Sequence, residues 1–357
     1  MQVLHQGGGA GSVTSTLHLS LGLAEAGARV RFVCPPDSEV EALARAGGLE
    51  VHPLHLAAGQ ARRNAEALRA LLTRHPVDLI NSQSARDRKA LAWLALTRQV
   101  RMPLIVTRRQ MPRTMPIENW LVSRLATRVI AVSPAVGGAL LRRGTPRAKL
   151  TIIPNGLVIQ RVDVPVTASE LAAWRGRIGW EPSRATVGVV ARLKDQEVVV
   201  RALEQIAKPV RLVLAGVDPQ GGLAALVGRV PARHAVVCLP FVSQIRPLYD
   251  LLDLVLLPSR SEGLSQGLLE AMALGKPVVA SAATGNLDVI TDGVDGRLVQ
   301  PRDPRAWAAA MSSLLQDSDL AARLGGAART TARARFSLDH TIRRTMELYQ
   351  SVTGHRS

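Results

Sequence analysis

Short apolar runs alternate with longer amphipathic stretches along this 357-residue chain. Runs at Val3–His5, Val30–Cys34, Leu79–Asn81, Leu104–Thr107, Val129–Val132 and Thr151–Ile153 read as strands. Helical patterns lie between them at Leu17–Ala26, Ala61–Arg74, Lys89–Arg98, Trp120–Ala126 and Ala135–Arg143. Parallel neighbours need a crossover helix, so this alternation predicts a doubly wound parallel sheet. Pro154-Asn155-Gly156 breaks the pattern. After a helix at Leu171–Ile178, strands resume at Thr186–Val190, Arg211–Ala215, Ala235–Cys238, Leu254–Leu257, Pro277–Ala280 and Gly296–Val299. The expected α/β architecture is two Rossmann-like domains, 1–160 and 161–337, with parallel sheets facing across a deep cleft and a hinge near 157–168. Ligands bind outside the carboxyl ends of such strands, which makes the cleft the expected site. The segment 338–357 holds an amphipathic helix, Leu338–Val352, suited to cover the core of either domain, packing back on the N-terminal one included.

Composition narrows the chemistry. Hydrophobic residues make up 47% and aromatics 3%, so the core is built from Leu, Val, Ile and Ala. Cys34 and Cys238 are two isolated thiols in apolar runs, too few for a metal or disulfide framework. No signal-peptide pattern and no long apolar stretch is found, which predicts a cytoplasmic protein, with peripheral attachment to the inner face of the membrane as the one membrane option. Net charge is +17, of which residues 1–160 hold +12. A surface of that kind attracts phosphates or anionic lipid headgroups, unless the arginines merely solvate it. Nucleic acid is not an expected partner, since few aromatics are available for stacking and no binding module is present. There is no phosphate-binding Gly-x-x-x-x-Gly-Lys loop and no Gly-x-Ser-x-Gly elbow. Asp317-Ser318-Asp319 sits between helical patterns and reads as a helix cap rather than a metal site.

The chemistry concentrates after the run Leu254–Leu257. Pro258 ends it, a small-residue loop with Gly263 comes next, and a helix starts at Ser265 or Gln266. Free amides and the positive end of the helix dipole form an anion site there. Glu262 and Glu270 flank it. A carboxylate only accepts hydrogen bonds, and accepts two at once, which suits vicinal sugar hydroxyls. The two glutamates, Ala271–Ala280, Gly285–Ile290 and Asp292–Gly296 together resemble the retaining glycosyltransferases of family 4, which have the GT-B fold and a Glu-x7-Glu motif at this place. The likeness spans the chain and is strongest over 254–304.

This resemblance implies transfer of a sugar from a nucleotide-sugar donor, UDP-linked by preference and bound by domain 161–337, to a glycan or lipid-linked acceptor bound by domain 1–160, in cell-envelope polysaccharide or lipopolysaccharide synthesis. It implies that Glu262 holds sugar hydroxyls, Glu270 the ribose hydroxyls, and the amides of Gly263, Leu264 and Ser265 the diphosphate. Arg192 matches the family arginine that neutralises the diphosphate, and Phe241-Val242 lies where the family frames the base. Gly8 and Gly9, within the loop Gly7–Ser12 after the first strand, match the family's glycine loop, a pattern that also serves as a plain tight turn. The implied mechanism uses no protein nucleophile, no metal and no cofactor. The acceptor hydroxyl attacks on the face that the nucleoside diphosphate leaves, and the phosphate takes its proton.

Two departures stand out. The family places after its arginine a Lys-Gly that Arg192–Leu203 lacks, in a segment about three residues shorter. Lys194 either shares the missing lysine's catalytic role or is solvated. Where many relatives place a histidine after the strand Leu104–Thr107, this chain has Arg108-Arg109. These either grip a phosphate-bearing acceptor or the donor pyrophosphate by guanidinium forks, or form a solvated basic loop. Met111, Pro112, Met115, Pro116, Ile117, Trp120 and Leu121 either form an apolar lip for an anionic membrane surface or pack inside the domain. Two other outcomes stay open, a nucleotide-sugar-binding relative with impaired catalysis and a GT-B sugar-nucleotide epimerase.

Overall fold

The computed structural model describes residues 1–8, 11–112, 115–218, 220–242 and 244–354. The chain divides into two compact units, one of Met1–Gly156 with Leu338–Ser357, the other of Leu157–Ser337.

In the first unit the strands are β1 (Gln2–Val3), β2 (Arg31–Cys34), β3 (Glu50–Pro53), β4 (Ile80–Ser82), β5 (Leu104–Arg108), β6 (Arg128–Ala131) and β7 (Leu150–Ile152). They form one sheet in the order β3-β2-β1-β4-β5-β6-β7, with every pairing parallel. Six of these strands fall where the apolar runs predict them. The seventh, β3, was not expected. It is an edge strand whose residues are only partly buried, so Glu50-Val51-His52-Pro53 carries no apolar run.

The helix Leu338–Thr353 completes this unit by packing on Gly11–Glu25. Gly22 makes the approach close, since a Cβ there would sit 2.1 Å from Ile342 Cδ1. The buried Tyr349 hydroxyl accepts hydrogen bonds from Gln2 Nε2 at 3.0 Å and Asn81 Nδ2 at 2.6 Å. Tyr349→Phe strips both buried donors of that acceptor. It is expected to destabilise the protein by about 1–3 kcal/mol, read from its denaturant midpoint.

In the second unit the strands are β8 (Ala185–Val190), β9 (Val210–Ala215), β10 (Ala235–Leu239), β11 (Leu254–Leu257), β12 (Val278–Ser281) and β13 (Arg297–Val299). Their order is β10-β9-β8-β11-β12-β13, again all parallel. The core packs Val187, Val189, Leu212, Leu214, Leu254 and Leu256 of the sheet against Trp307 and Met311 of the helix Pro304–Gln316. Asp317 caps the helix Ser318–Arg335 by accepting from Leu320 N at 2.9 Å, the capping role expected of it. Among the described residues no helix is long and apolar enough to cross a membrane.

Both sheets reverse their winding once, between β1 and β4 in the first unit and between β8 and β11 in the second. Helices on opposite faces part there and leave a crevice at the strands' carboxyl ends.

Candidate functional site

The second unit's crevice is built from the segments that leave β8 and β11. After β11 the loop 258–265 leads into the helix Gln266–Ala273, whose N-cap Ser265 accepts from Leu268 N at 3.4 Å. Gly267 brings the helix start against β8, because a Cβ there would meet Val190 O at 2.5 Å. The loop is fixed from the other side as well. Glu262 N donates to Thr284 Oγ1 at 3.0 Å, Gly285 N to Glu262 O at 3.2 Å, and Ser281 Oγ to Pro258 O at 2.7 Å. A Cβ on Gly285 would lie 2.4 Å from Gly263 O, so the segment 284–287 and the loop touch backbone to backbone.

This frame leaves donors unspent. The amides of Gly263, Leu264 and Ser265 donate to no group among the described residues. They adjoin a helix start with no acidic residue in its first turn, which gives the loop a positive field.

Glu262 and Glu270 have different surroundings. Glu270 Oε2 accepts from Tyr249 Oη at 3.1 Å, and that hydroxyl also reaches Gly267 O at 3.0 Å. Burial pushes the Glu270 carboxyl up to about 7, although the Tyr249 hydrogen bond and the Arg161 charge act the other way. Burial also raises the Tyr249 hydroxyl well above its usual range, helped by Glu270. Glu262 instead forms an ion pair with Lys194 Nζ.

Lys194 belongs to the shortened segment after β8. Gln196, buried, donates from Nε2 to Arg192 O at 2.7 Å and accepts from Lys194 N. Asp195 Oδ1 accepts from Arg260 Nε at 2.6 Å, and Asp195 Oδ2 from Arg260 N at 3.0 Å. Two ion pairs therefore tie this segment to the glutamate loop, a link that local sequence gives no sign of. The Arg192 guanidinium is exposed and has no partner among the described residues. Phe241, after β10, is 57% exposed, and Val242 beside it is half-buried.

The first unit places its predicted residues less uniformly. Gly8 is exposed beside Glu39, and Gly9 lies outside the described residues. Arg108 and Arg109 are neither free forks nor a solvated loop. β5 runs on to Arg108, and both side chains are buried. Arg108 Nη1 donates to Asn119 Oδ1 at 3.0 Å. Arg109 donates to Thr16 Oγ1 at 3.2 Å, to Gln83 Oε1 at 3.0 Å and to Asn155 Oδ1. Neither joins an ion pair among the described residues, and burial lowers Arg108 to about 9 and Arg109 to about 10. Both stay cationic near neutrality and lend the unit positive charge from within.

The helix Pro116–Leu125 turns Asn119 and Ser123 inward. Both are buried and bonded to Thr145 Oγ1 at 3.0 and 2.9 Å. Ile117 is left 68% exposed and Trp120 42%, beside Leu121 and the preceding Met115. Arg124 lies over the Trp120 ring, 5.6 Å from its centroid. These four apolar side chains do not pack inside the unit.

Comparison with known proteins gives this geometry a family. Residues 9–161 match the family described as Glycosyltransferase Family 4, and residues 183–317 match that described as Glycosyl transferases group 1. The chain belongs to the family 4 glycosyltransferases, and its two parallel-sheet units are the GT-B fold. It is 34% identical over 226 residues to a D-inositol 3-phosphate glycosyltransferase of Xylanimonas cellulosilytica, over 60% of this chain and 54% of that one. It is 30% identical over 214 residues to an uncharacterised glycosyltransferase of Methanocaldococcus jannaschii, over 58% and 55% of the two chains. The chain thus spans about half the length of these curated relatives. In fold it is similar to Anabaena HepE in complex with UDP-glucose, with a TM-score of 0.85, 22% identity and 98% of each chain covered.

Proposed function

We propose that the protein is a retaining glycosyltransferase that takes a sugar from a UDP-linked donor. The observation that carries this reading is the pair Glu262 and Glu270 flanking three unspent amides, with the unpaired Arg192 on the segment that Lys194 and Asp195 tie to the same loop. Glu270 accepts the ribose hydroxyls, Glu262 those of the sugar, and Phe241-Val242 flanks the base. The amides and Arg192 neutralise the diphosphate, whose charge grows as it leaves, so this reaction draws on no metal or cofactor. The proposed acceptor is a glycan or lipid-linked glycan of the cell envelope. D-inositol 3-phosphate, named for the Xylanimonas relative, is the small-molecule alternative.

The test is nucleoside diphosphate release from a panel of nucleotide sugars, tracked by mass spectrometry with Glu270→Ala alongside. Glu270-dependent hydrolysis of one donor is the expected result. Failure of every nucleotide sugar to bind would sink this reading. Binding without release, with or without an acceptor, would favour an impaired relative, which the lost Lys-Gly and the Lys194–Glu262 pair both favour structurally.

We also propose that the apolar side chains of Met115–Leu121 contact an anionic bilayer, which places the protein at the membrane's cytoplasmic face. Wild-type protein is expected to sediment with phosphatidylglycerol vesicles and not with phosphatidylcholine vesicles. The double variant Ile117→Asp, Trp120→Ala should lose that binding, and raised salt should weaken it.

A further inference from the structure

The first unit's crevice holds a side-chain cluster with no part in the proposed donor site. The segments leaving β1 and β4 meet there. His5 lies on one, Ser84 and Asp87 on the other. His5 N donates to Ser84 Oγ at 3.0 Å. His5 Nδ1 lies 2.5 Å from the same oxygen and 3.2 Å from Asp87 Oδ1. Ser84 Oγ in turn donates to Asp87 Oδ1. Asp87 Oδ2 accepts from Ser82 Oγ at 2.8 Å, Gln83 N at 2.8 Å and Ser84 N at 2.9 Å.

These contacts decide where the protons are. Burial would raise the Asp87 carboxyl, but hydrogen bonds from His5 and Ser84 outweigh it and hold it below the ordinary range. An ionised carboxylate only accepts, and the Ser84 proton is already directed at it. The hydrogen between His5 and this pair therefore sits on Nδ1. Arg86 N, at 3.4 Å from Nδ1, is the weakest contact and the only one aimed the other way. In the neutral ring Nε2 is left with its lone pair. The His5 side chain is 13% exposed, and Nε2 has no partner among the described residues. Nearby, Arg109 is spent on Gln83 and Asn155.

A strut between the two segments would need only Nδ1. Here the strut also fixes the tautomer that leaves an open base, and it does so where this sheet reverses its winding. We propose that His5 Nε2 receives a hydrogen bond from a hydroxyl of the acceptor, a polyhydroxylated sugar or cyclitol, while Ser84 and Asp87 hold the ring. Naming that ligand the acceptor rests on the transferase reading; the site itself does not.

The experiment uses full-length protein labelled with nitrogen-15 at histidine, with His5→Gln assigning the ring. The free protein is expected to show the Nδ1–H tautomer. D-inositol 3-phosphate, glucose 6-phosphate and methyl α-glucoside are then titrated to tens of millimolar. At least one should shift His5 Nε2 saturably, and Glu270→Ala should give the same shift, since its change lies in the other unit. Loss of all nucleotide-sugar binding would then defeat the transferase reading and leave this result standing. An Nε2–H tautomer, or no shift with any of the three probes, overturns the proposal. For a probe that accepts sugar from UDP-glucose, His5→Gln should lower kcat/KM for that probe about 10- to 100-fold with UDP-glucose affinity unchanged. An unchanged kcat/KM would overturn it too.

Discussion

Replacing Glu270 with alanine is expected to weaken UDP-glucose binding about 100-fold, because two hydroxyl hydrogen bonds to a charged acceptor are lost at about 1.5 kcal/mol each. Calorimetric titration checks this, and the wild-type pH profile checks the cause. Burial holds the Glu270 carboxyl at about 7. The ionised form is the one that accepts both ribose hydroxyls, so binding releases a proton. Affinity should therefore rise as pH rises through 7 and level off above it, while Glu270→Gln shows no such rise. The sign for stability is opposite. The folded protein keeps this proton where an unfolded carboxyl, near ~4.3, has lost it. Stability should fall as pH rises from ~4.3 to 7 and then stay level, and Glu270→Gln should remove that slope. An affinity independent of pH would show that Glu270 does not touch the ribose.

Arg192→Ala is expected to cut donor turnover by roughly 10²–10³-fold, since it removes the one unpaired side-chain cation the proposal gives to the leaving diphosphate. Lys194→Ala should cost less than about tenfold. Its ammonium is committed to Glu262, so it sits on the sugar-binding carboxylate rather than on the diphosphate. Single-turnover rates with saturating donor measure both. Equal losses would mean that Lys194 has taken over the charge role of the missing lysine.

Much of the fold was legible because its determinants are local. Buried parallel strands are built largely from apolar residues, so twelve of the thirteen strands lie on or beside an apolar run. The edge strand β3 does not, because an edge tolerates Glu50, His52 and Pro53. The helix Ala168–Ile178 is also written locally, with Thr167 and Glu170 forming a capping box and Gly179 closing it at φ 62°. Glu262 and Glu270 could be found because one loop and one helix turn fix their spacing. What could not be read depends on partners distant in sequence. Arg108 and Arg109 look like a free basic pair until Asn119, Gln83 and Asn155 are brought to them. Lys194 reads equally as a diphosphate cation or a solvated side chain until Glu262 arrives from 68 residues away. The separation of 82 positions between His5 and Asp87 hides that pair in the same way. The outward apolar face of Pro116–Leu125 is legible only once Asn119 and Ser123 are seen to be buried.

The terminal helix has a consequence for synthesis. The first unit's sheet is complete once β7 has been made, yet the hydroxyl that Gln2 and Asn81 require belongs to Tyr349, beyond the whole second unit. At ~5–20 residues per second the ribosome needs on the order of 10–40 s to reach it. During that interval the nascent first unit exposes the groove beside Gly22 and holds two unsatisfied amides, so it must wait, incompletely closed, while a later-born neighbour folds. Premature termination before residue 338 would leave the first unit in that state permanently, a target for chaperones and proteases rather than a half-working enzyme.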